Sequence, residues 1–452
     1  MSAGNSRRRL VVAGLVAGLA IGAAVGATSL TGASSEGPGA GPVVLHVARV
    51  LADAGVDLEL SASLFCPRTD GEGCEVASAI AHVLSSGSEG WTDIEGEAEG
   101  NGYRFVVPGG LIAGDGISYW LGFGIEGSAA VRFPDGGAAT PFRVVTTAGL
   151  REVAWTGAFD LASVRTSDGV VARLGYGDGA DQVGRIGGVG EEQPLGPSSF
   201  DVASDGSIHV ADWVHGRVLV LTPRGDYRRA IPLPLRRPVD VAVGARDELA
   251  VTTLGLGATT FELGADGQVI GRYKVEAGVA ERIVLTPGGP YVWVGPAQWT
   301  PVRSRPGVAL PAAAQSRGLA SAVPGREGSV ALSQDLNEGR VAFVWARPDG
   351  SRAGAVLRLP AGAQAGVDYF VRGVPDGGAV AARGLWSEDG EAVALLRFAA
   401  DGSLVRAELI APPSREMDAV ASAVRFRAPD EVLAVYAEER GIRIERFEVK
   451  AG

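Results

Sequence analysis

From residue 43 onward, apolar and polar positions alternate, as in Val56-Asp-Leu-Glu-Leu-Ser-Ala-Ser-Leu64 and Gly441-Ile-Arg-Ile-Glu-Arg-Phe-Glu-Val449. A period of two sends successive side chains to opposite faces of an extended chain, so these segments predict strands. Asp-Gly dipeptides separate them, beginning at Asp70, Asp115, Asp135, Asp168, Asp178, Asp205, Asp266, Asp349, Asp376, Asp389 and Asp401. Asp-Gly tolerates the positive φ of tight hairpins, so its recurrence predicts antiparallel pairing and an all-β chain.

Two units are expected. Residues 43–147 hold candidate strands at 43–51, 56–66, 76–84, 91–95, 102–107, 116–126 and 141–146. This spacing fits an immunoglobulin-like or fibronectin-like β-sandwich, with Tyr119 and Trp120 at one inner face and its edge. From 150 to 452 the chain repeats itself. Ser207-Ile-His-Val-Ala-Asp-Trp-Val-His-Gly-Arg-Val-Leu-Val-Leu-Thr-Pro-Arg-Gly225 aligns with Ser329 to Gly350 through the Asp, the Gly-Arg-Val and the closing glycine, with one inserted residue, and 379–402 and 431–452 follow the same course. The closing glycines Gly225, Gly267, Gly350, Gly402 and Gly452 recur at about 40 to 50 residues, or twice that, the period of a four-stranded β-propeller blade. Six blades are expected, with Gly169-Val-Val-Ala-Arg-Leu174 supplying the missing outer strand of the last. A seven-bladed ring is the alternative, because 151–190 is long enough to hold a divergent blade.

The stretch Gly196-Pro-Ser-Ser-Phe-Asp-Val-Ala-Ser-Asp-Gly-Ser-Ile-His-Val-Ala-Asp212, followed by Arg217-Val-Leu-Val-Leu221 and Gly225, resembles an NHL repeat. A weaker copy begins at Arg237-Pro-Val-Asp-Val-Ala-Val243. The resemblance implies a propeller and leaves its use open, since NHL-type propellers include protein- and RNA-binding modules, lactone- or ester-cleaving enzymes and amidating lyases.

Composition narrows that range. A formal net charge of −11 opposes nucleic acid and a broad attraction to anionic membrane. Arg7-Arg8-Arg9 followed by the uncharged apolar run Leu10 to Ala27 reads residues 1–30 as an export signal or signal anchor. The Gly/Ser/Pro-rich residues 31–42 read as a flexible linker. The chain is therefore expected to be secreted or held at the cell envelope, touching membrane only through this segment. In an exported chain the two cysteines, Cys66 and Cys74, read as a short loop-closing disulfide.

His209, Asp212 and His215 lie at three-residue intervals and raise the question of a metal site. Strand geometry opposes it: His209 and Asp212 are an odd number of positions apart and leave opposite faces. Asp212 and Arg217 bracket a turn and are expected to satisfy each other there. His215, Trp213 and Asp212 remain ligand-contact candidates at the rim, with Asp212→Ala expected to destabilise and His215→Ala to be nearly silent for folding. Asp201, Asp240, Glu281 and Asp368 fall near the starts of successive inner strands, where carboxylates converging on the axis would suit Ca²⁺. Trp293 and Trp299, and the arginines Arg224, Arg228, Arg229, Arg236 and Arg237, read as blade core and solvated loop respectively. The leading expectation is a monomeric, non-catalytic binding or scaffold protein without a cofactor, presenting a propeller face to an extracytoplasmic protein or glycan. The alternative is a Ca²⁺-type hydrolase or lyase with a carboxylate-lined channel.

Overall fold

The computed structural model describes residues 42–46, 49, 51–65, 75–100, 102–126, 129–134, 136–139, 141–157, 159–187, 195–234, 237–253, 259–274, 280–286, 289–294, 298–302, 322–324, 330–336, 339–349, 351–413 and 423–450. Residues 1–30, expected to be an export signal or anchor, the expected linker up to residue 41, and Cys66 and Cys74, expected to form a disulfide, lie outside the described residues. Among the described residues no helix is long and apolar enough to cross a membrane.

The alternating pattern of the first unit becomes two facing sheets. One runs in the order Val43–His46, Leu58–Phe65, Gly102–Val107, Glu97–Glu99. The other runs Leu51–Ala52, Phe142–Thr146, Gly116–Ile125, Val76–Ser85, Thr92–Glu95, with Val131–Phe133 also on Gly116–Ile125. In Gly116–Ile125 the odd positions Ile117, Tyr119, Leu121 and Phe123 are buried against Leu60 and Phe105 of the facing sheet, while Trp120 lies on the outer face. The segment read as a single strand over 43–51 is divided: Val43–His46 pairs in the first sheet, and Leu51–Ala52 crosses to pair parallel with Val145–Thr146 in the second.

The remaining sheets are antiparallel and follow one another in sequence. Sheet A is Ser199–Val202, Ile208–Asp212, Arg217–Leu221 and Tyr227–Pro232; sheet B is Pro238–Val243, Leu249–Thr253, Thr259–Leu263 and Val269–Lys274. Sheet C is Ala280–Thr286, Gly289–Val294 and Gln298–Pro301; sheet D is Ala322–Pro324, Val330–Leu336, Arg340–Ala346 and Arg352–Arg358, with Arg151–Ala154 added in parallel at its edge. Sheet E is Gln364–Gly373, Ala379–Ser387, Gly390–Phe398 and Leu404–Ile410; sheet F is Val424–Ala428, Glu431–Glu438 and Gly441–Glu448, completed by Gly169–Gly175. The first strand of each sheet lies inside, against a neighbouring sheet, and the first strand of F lies against that of A. The sheets therefore close into a ring, the arrangement of a β-propeller.

This arrangement explains why the middle strands read as continuous apolar runs. In Arg217–Leu221, Leu219 and Leu221 pack toward Leu433 and Ile444 of sheet F, while Val218 and Val220 pack toward Val241 and Val251 of sheet B. Both faces are covered, so neither can be polar. The segment 151–175 runs along the outer edges: Arg151–Ala154 on sheet D, Arg165 bridged to Ile410 of sheet E, and Gly169–Gly175 on sheet F. It removes open strand edges that would otherwise template association.

Candidate functional site

Turn and axis each gather polar side chains. At the turn after Ile208–Asp212, the Asp212 carboxylate is fully buried. Its Oδ2 accepts from Arg217 Nε at 2.9 Å and lies 2.7 Å from His215 Nδ1, while its Oδ1 accepts the Gly184 amide at 3.1 Å. Arg217 Nη2 also donates to the Gly179 and Gln182 carbonyls, at 2.9 and 2.7 Å. Asp212 and Arg217 thus fasten the crossing segment 176–187 to sheet A. His215 Nε2 adds a second link, 3.1 Å from the exposed Asp178 carboxylate. Burial opposes charge on His215, but the hydrogen bonds to Asp212 and Asp178 outweigh it and the pKa is raised. His215 is thus tied to both sides of the seam, more firmly than a silent turn residue. Trp213 is buried, with the Arg237 guanidinium 5.0 Å over its ring.

His209 belongs to a different environment. It stands opposite Asp201 on the neighbouring strand, is buried, and its Nδ1 has no hydrogen-bond partner. Burial lowers its pKa against the pull of Asp201 and Asp205. The three-residue spacing therefore does not assemble a shared site.

On the axis, Asp201 and Asp240 are both buried. Each accepts an amide from the next sheet's inner strand: Val243 N to Asp201 Oδ2 and Ile283 N to Asp240 Oδ2, both at 2.8 Å. Ser199 Oγ does the same for Val241 N at 3.0 Å. Arg425, from the inner strand of sheet F, donates through Nε to Phe200 O at 2.8 Å and through Nη2 to Asp240 Oδ1 at 3.1 Å, with Nε 3.7 Å from Asp201 Oδ1. One guanidinium thus bridges carboxylates from two sheets. Burial pushes the Asp240 carboxyl upward, and Arg425 and the Ile283 hydrogen bond offset only part of that.

The inner strands carrying Glu281 and Asp368 are placed, but both side chains lie outside the described residues, as do those of Trp293 and Trp299. Among the described residues no group of three or more His, Cys, Asp or Glu side chains is arranged so that it could hold a metal ion. Arg425 is the axial residue missed by reading the sequence. Its signal was an arginine in Val424-Arg-Phe426, aligned with inner strands elsewhere written Phe-Asp-Val and Val-Asp-Val.

No family model and no curated protein matches the sequence. Solved structures give distant likenesses. Hydrazine synthase of Kuenenia stuttgartiensis is 14% identical over 49% of this chain and 69% of that chain, with a TM-score of 0.33. Virginiamycin B lyase from Staphylococcus aureus is 11% identical over 56% and 95%, TM-score 0.33. Regucalcin from Agrobacterium tumefaciens is 15% identical over 60% and 97%, TM-score 0.33. The propeller rests on the strand pairing rather than on these likenesses.

Proposed function

We propose that this chain is an exported, non-catalytic binding or scaffold protein: an immunoglobulin-like sandwich followed by a six-bladed, NHL-like propeller that presents its loop face to an extracytoplasmic partner. The observation that carries the reading is the Arg425 guanidinium against Asp240 and Asp201. A channel built to hold Ca²⁺ needs several oxygens turned to one point and a surplus of negative charge. Here a fixed cation occupies the space between the two carboxylates, and their remaining oxygens serve neighbouring backbone amides. Carboxylates so committed stabilise the ring and leave little to polarise a substrate. The N-terminal apolar run supports export, and the acidic net charge supports a partner other than nucleic acid.

Metal analysis of the protein purified from its own export compartment tests this, joined to thermal unfolding with Ca²⁺ and with chelator. The expected result is no stoichiometric metal and no shift in Tm. One equivalent of tightly held divalent ion, with a Tm that falls on chelation, would move the reading to a metal-dependent hydrolase or lyase.

A further inference from the structure

Across three adjacent strands of sheet E, Gln364 stands directly opposite Trp386, and Trp386 directly opposite Glu391. Residues in register across antiparallel strands project from the same face, so the indole is flanked by a carboxamide on one side and a carboxylate on the other. Trp386 is 42% exposed, the most exposed tryptophan among those whose side chains are described. It lies beside the turn joining the second and third strands of sheet E, on the same rim as the His215 turn of sheet A.

The ring is fixed rather than loose. Its Nε1–H donates to the Ala365 carbonyl at 3.3 Å. A Cβ placed on Gly366 would lie 3.5 Å from Trp386 Cδ1 and 3.2 Å from Gly384 O, so the indole edge rests where glycine leaves room. Its hydrogen-bonding atom is committed to the backbone, so the rest of the ring that meets solvent is hydrocarbon.

We propose that the Gln364–Trp386–Glu391 row is a saccharide subsite. A pyranose has a face of C–H bonds and a rim of hydroxyls. The C–H face stacks on an oriented indole, whose size and rigidity give contact area at low entropic cost. The hydroxyls donate to the Glu391 carboxylate and both donate to and accept from the Gln364 carboxamide. The adjoining turn carries Glu388 and Asp389, both exposed, so the surroundings repel anionic sugars and select neutral or amino sugars. The inference rests on the binding-module reading and sharpens it, naming a glycan rather than a protein.

Titration calorimetry on the full chain tests the subsite with methyl glycosides of glucose, mannose, galactose and N-acetylglucosamine, with chitotriose and cellotriose, and with galacturonate as the anionic control. At least one neutral probe is expected to bind and galacturonate is not. Trp386→Ala should weaken that binding by about tenfold or more, and Gln364→Ala and Glu391→Gln by about threefold each. Trp386→Phe, which keeps an aromatic face, should retain part of the affinity at unchanged Tm and so guards against a folding defect. Absence of binding to every neutral probe at about 10 mM, or binding that Trp386→Ala leaves unchanged, overturns the subsite. Neither outcome touches the non-catalytic reading, which falls only on bound metal or turnover.

Discussion

His215 favours its charged form and His46 its neutral form, and their titrations act on stability in opposite directions. The raised pKa of His215 means that its ion pairs contribute fully below the unfolded-state value near 6.5 and are lost as pH rises through the folded value. His46, half-buried in the sandwich with Nε2 2.7 Å from Tyr119 Oη and Nδ1 2.6 Å from Ser61 O, is pushed down to about 4 by the loss of solvation there. Its neutral form contributes stability above pH 6.5 that is lost as pH falls toward 4, on the order of 3 kcal/mol. Urea unfolding at several pH values separates the two. His215→Gln is expected to cost more stability at pH 5.5 than at pH 8, and His46→Gln to remove most of the wild type's loss between pH 6.5 and 4.5. A His215→Gln variant with a pH-independent deficit would contradict the first.

The Asp212–Arg217 pair was legible in the sequence because both residues bracket one turn. The axial Asp240–Arg425 pair was not. Its partners are 185 positions apart, on sheets F and B, and meet only when the ring closes.

At the scale of the element, the closing glycines show why a repeat survives when its side chains diverge. Gly225 has φ +90°, and a Cβ there would lie 1.9 Å from Val171 O on the outer strand of sheet F. Gly267, at φ +89°, meets Ile231 of sheet A, and Gly402, at φ +83°, meets Gly354 O of sheet D. Each turn is seated on the outer strand of the preceding sheet, so glycine is demanded twice, by conformation and by close approach. Gly225→Ala is expected to cost appreciably more than the 1 to 2 kcal/mol of a left-handed residue alone, roughly 3 kcal/mol or above. Gly100→Ala is the control, since Gly100 has φ +56° and nothing within 4 Å, and it should cost about 1 to 2 kcal/mol. Equal losses in chemical denaturation would remove the seating argument. These glycines and Gly169–Gly175 could be read from the sequence because spacing and turn chemistry are local. Short strands such as Glu97–Glu99 and Val131–Phe133 could not, because three residues carry no period.

At the scale of the molecule, the sandwich is docked on sheet D. Leu51, at 1% exposure, packs with Val145 and Leu150 against Ala342, Val344 and Val356. Beside this contact Arg340 Nη2 donates to Asp53 Oδ2 at 2.6 Å, both side chains being largely buried. Leu51, at the division of 43–51, and Asp53 just after it are thus the residues that reach the ring, which no strand pattern announces. Arg340→Ala leaves Asp53 without this partner and is expected to raise trypsin cleavage at Arg151 in the connecting strand. An unchanged digestion pattern would mean that the apolar contact alone holds the two units.

The central claim is that the axial carboxylates close the ring through Arg425 instead of forming a cation cage. A double-mutant cycle between Asp240→Asn and Arg425→Met, measured by equilibrium unfolding with Ca²⁺ and with chelator, addresses it directly. The account predicts destabilisation by each single change, a coupling of about 1 to 3 kcal/mol between the two sites, and the same values in both buffers. Negligible coupling, or a wild-type protein stabilised by Ca²⁺ in a way that Asp240→Asn abolishes, would contradict it.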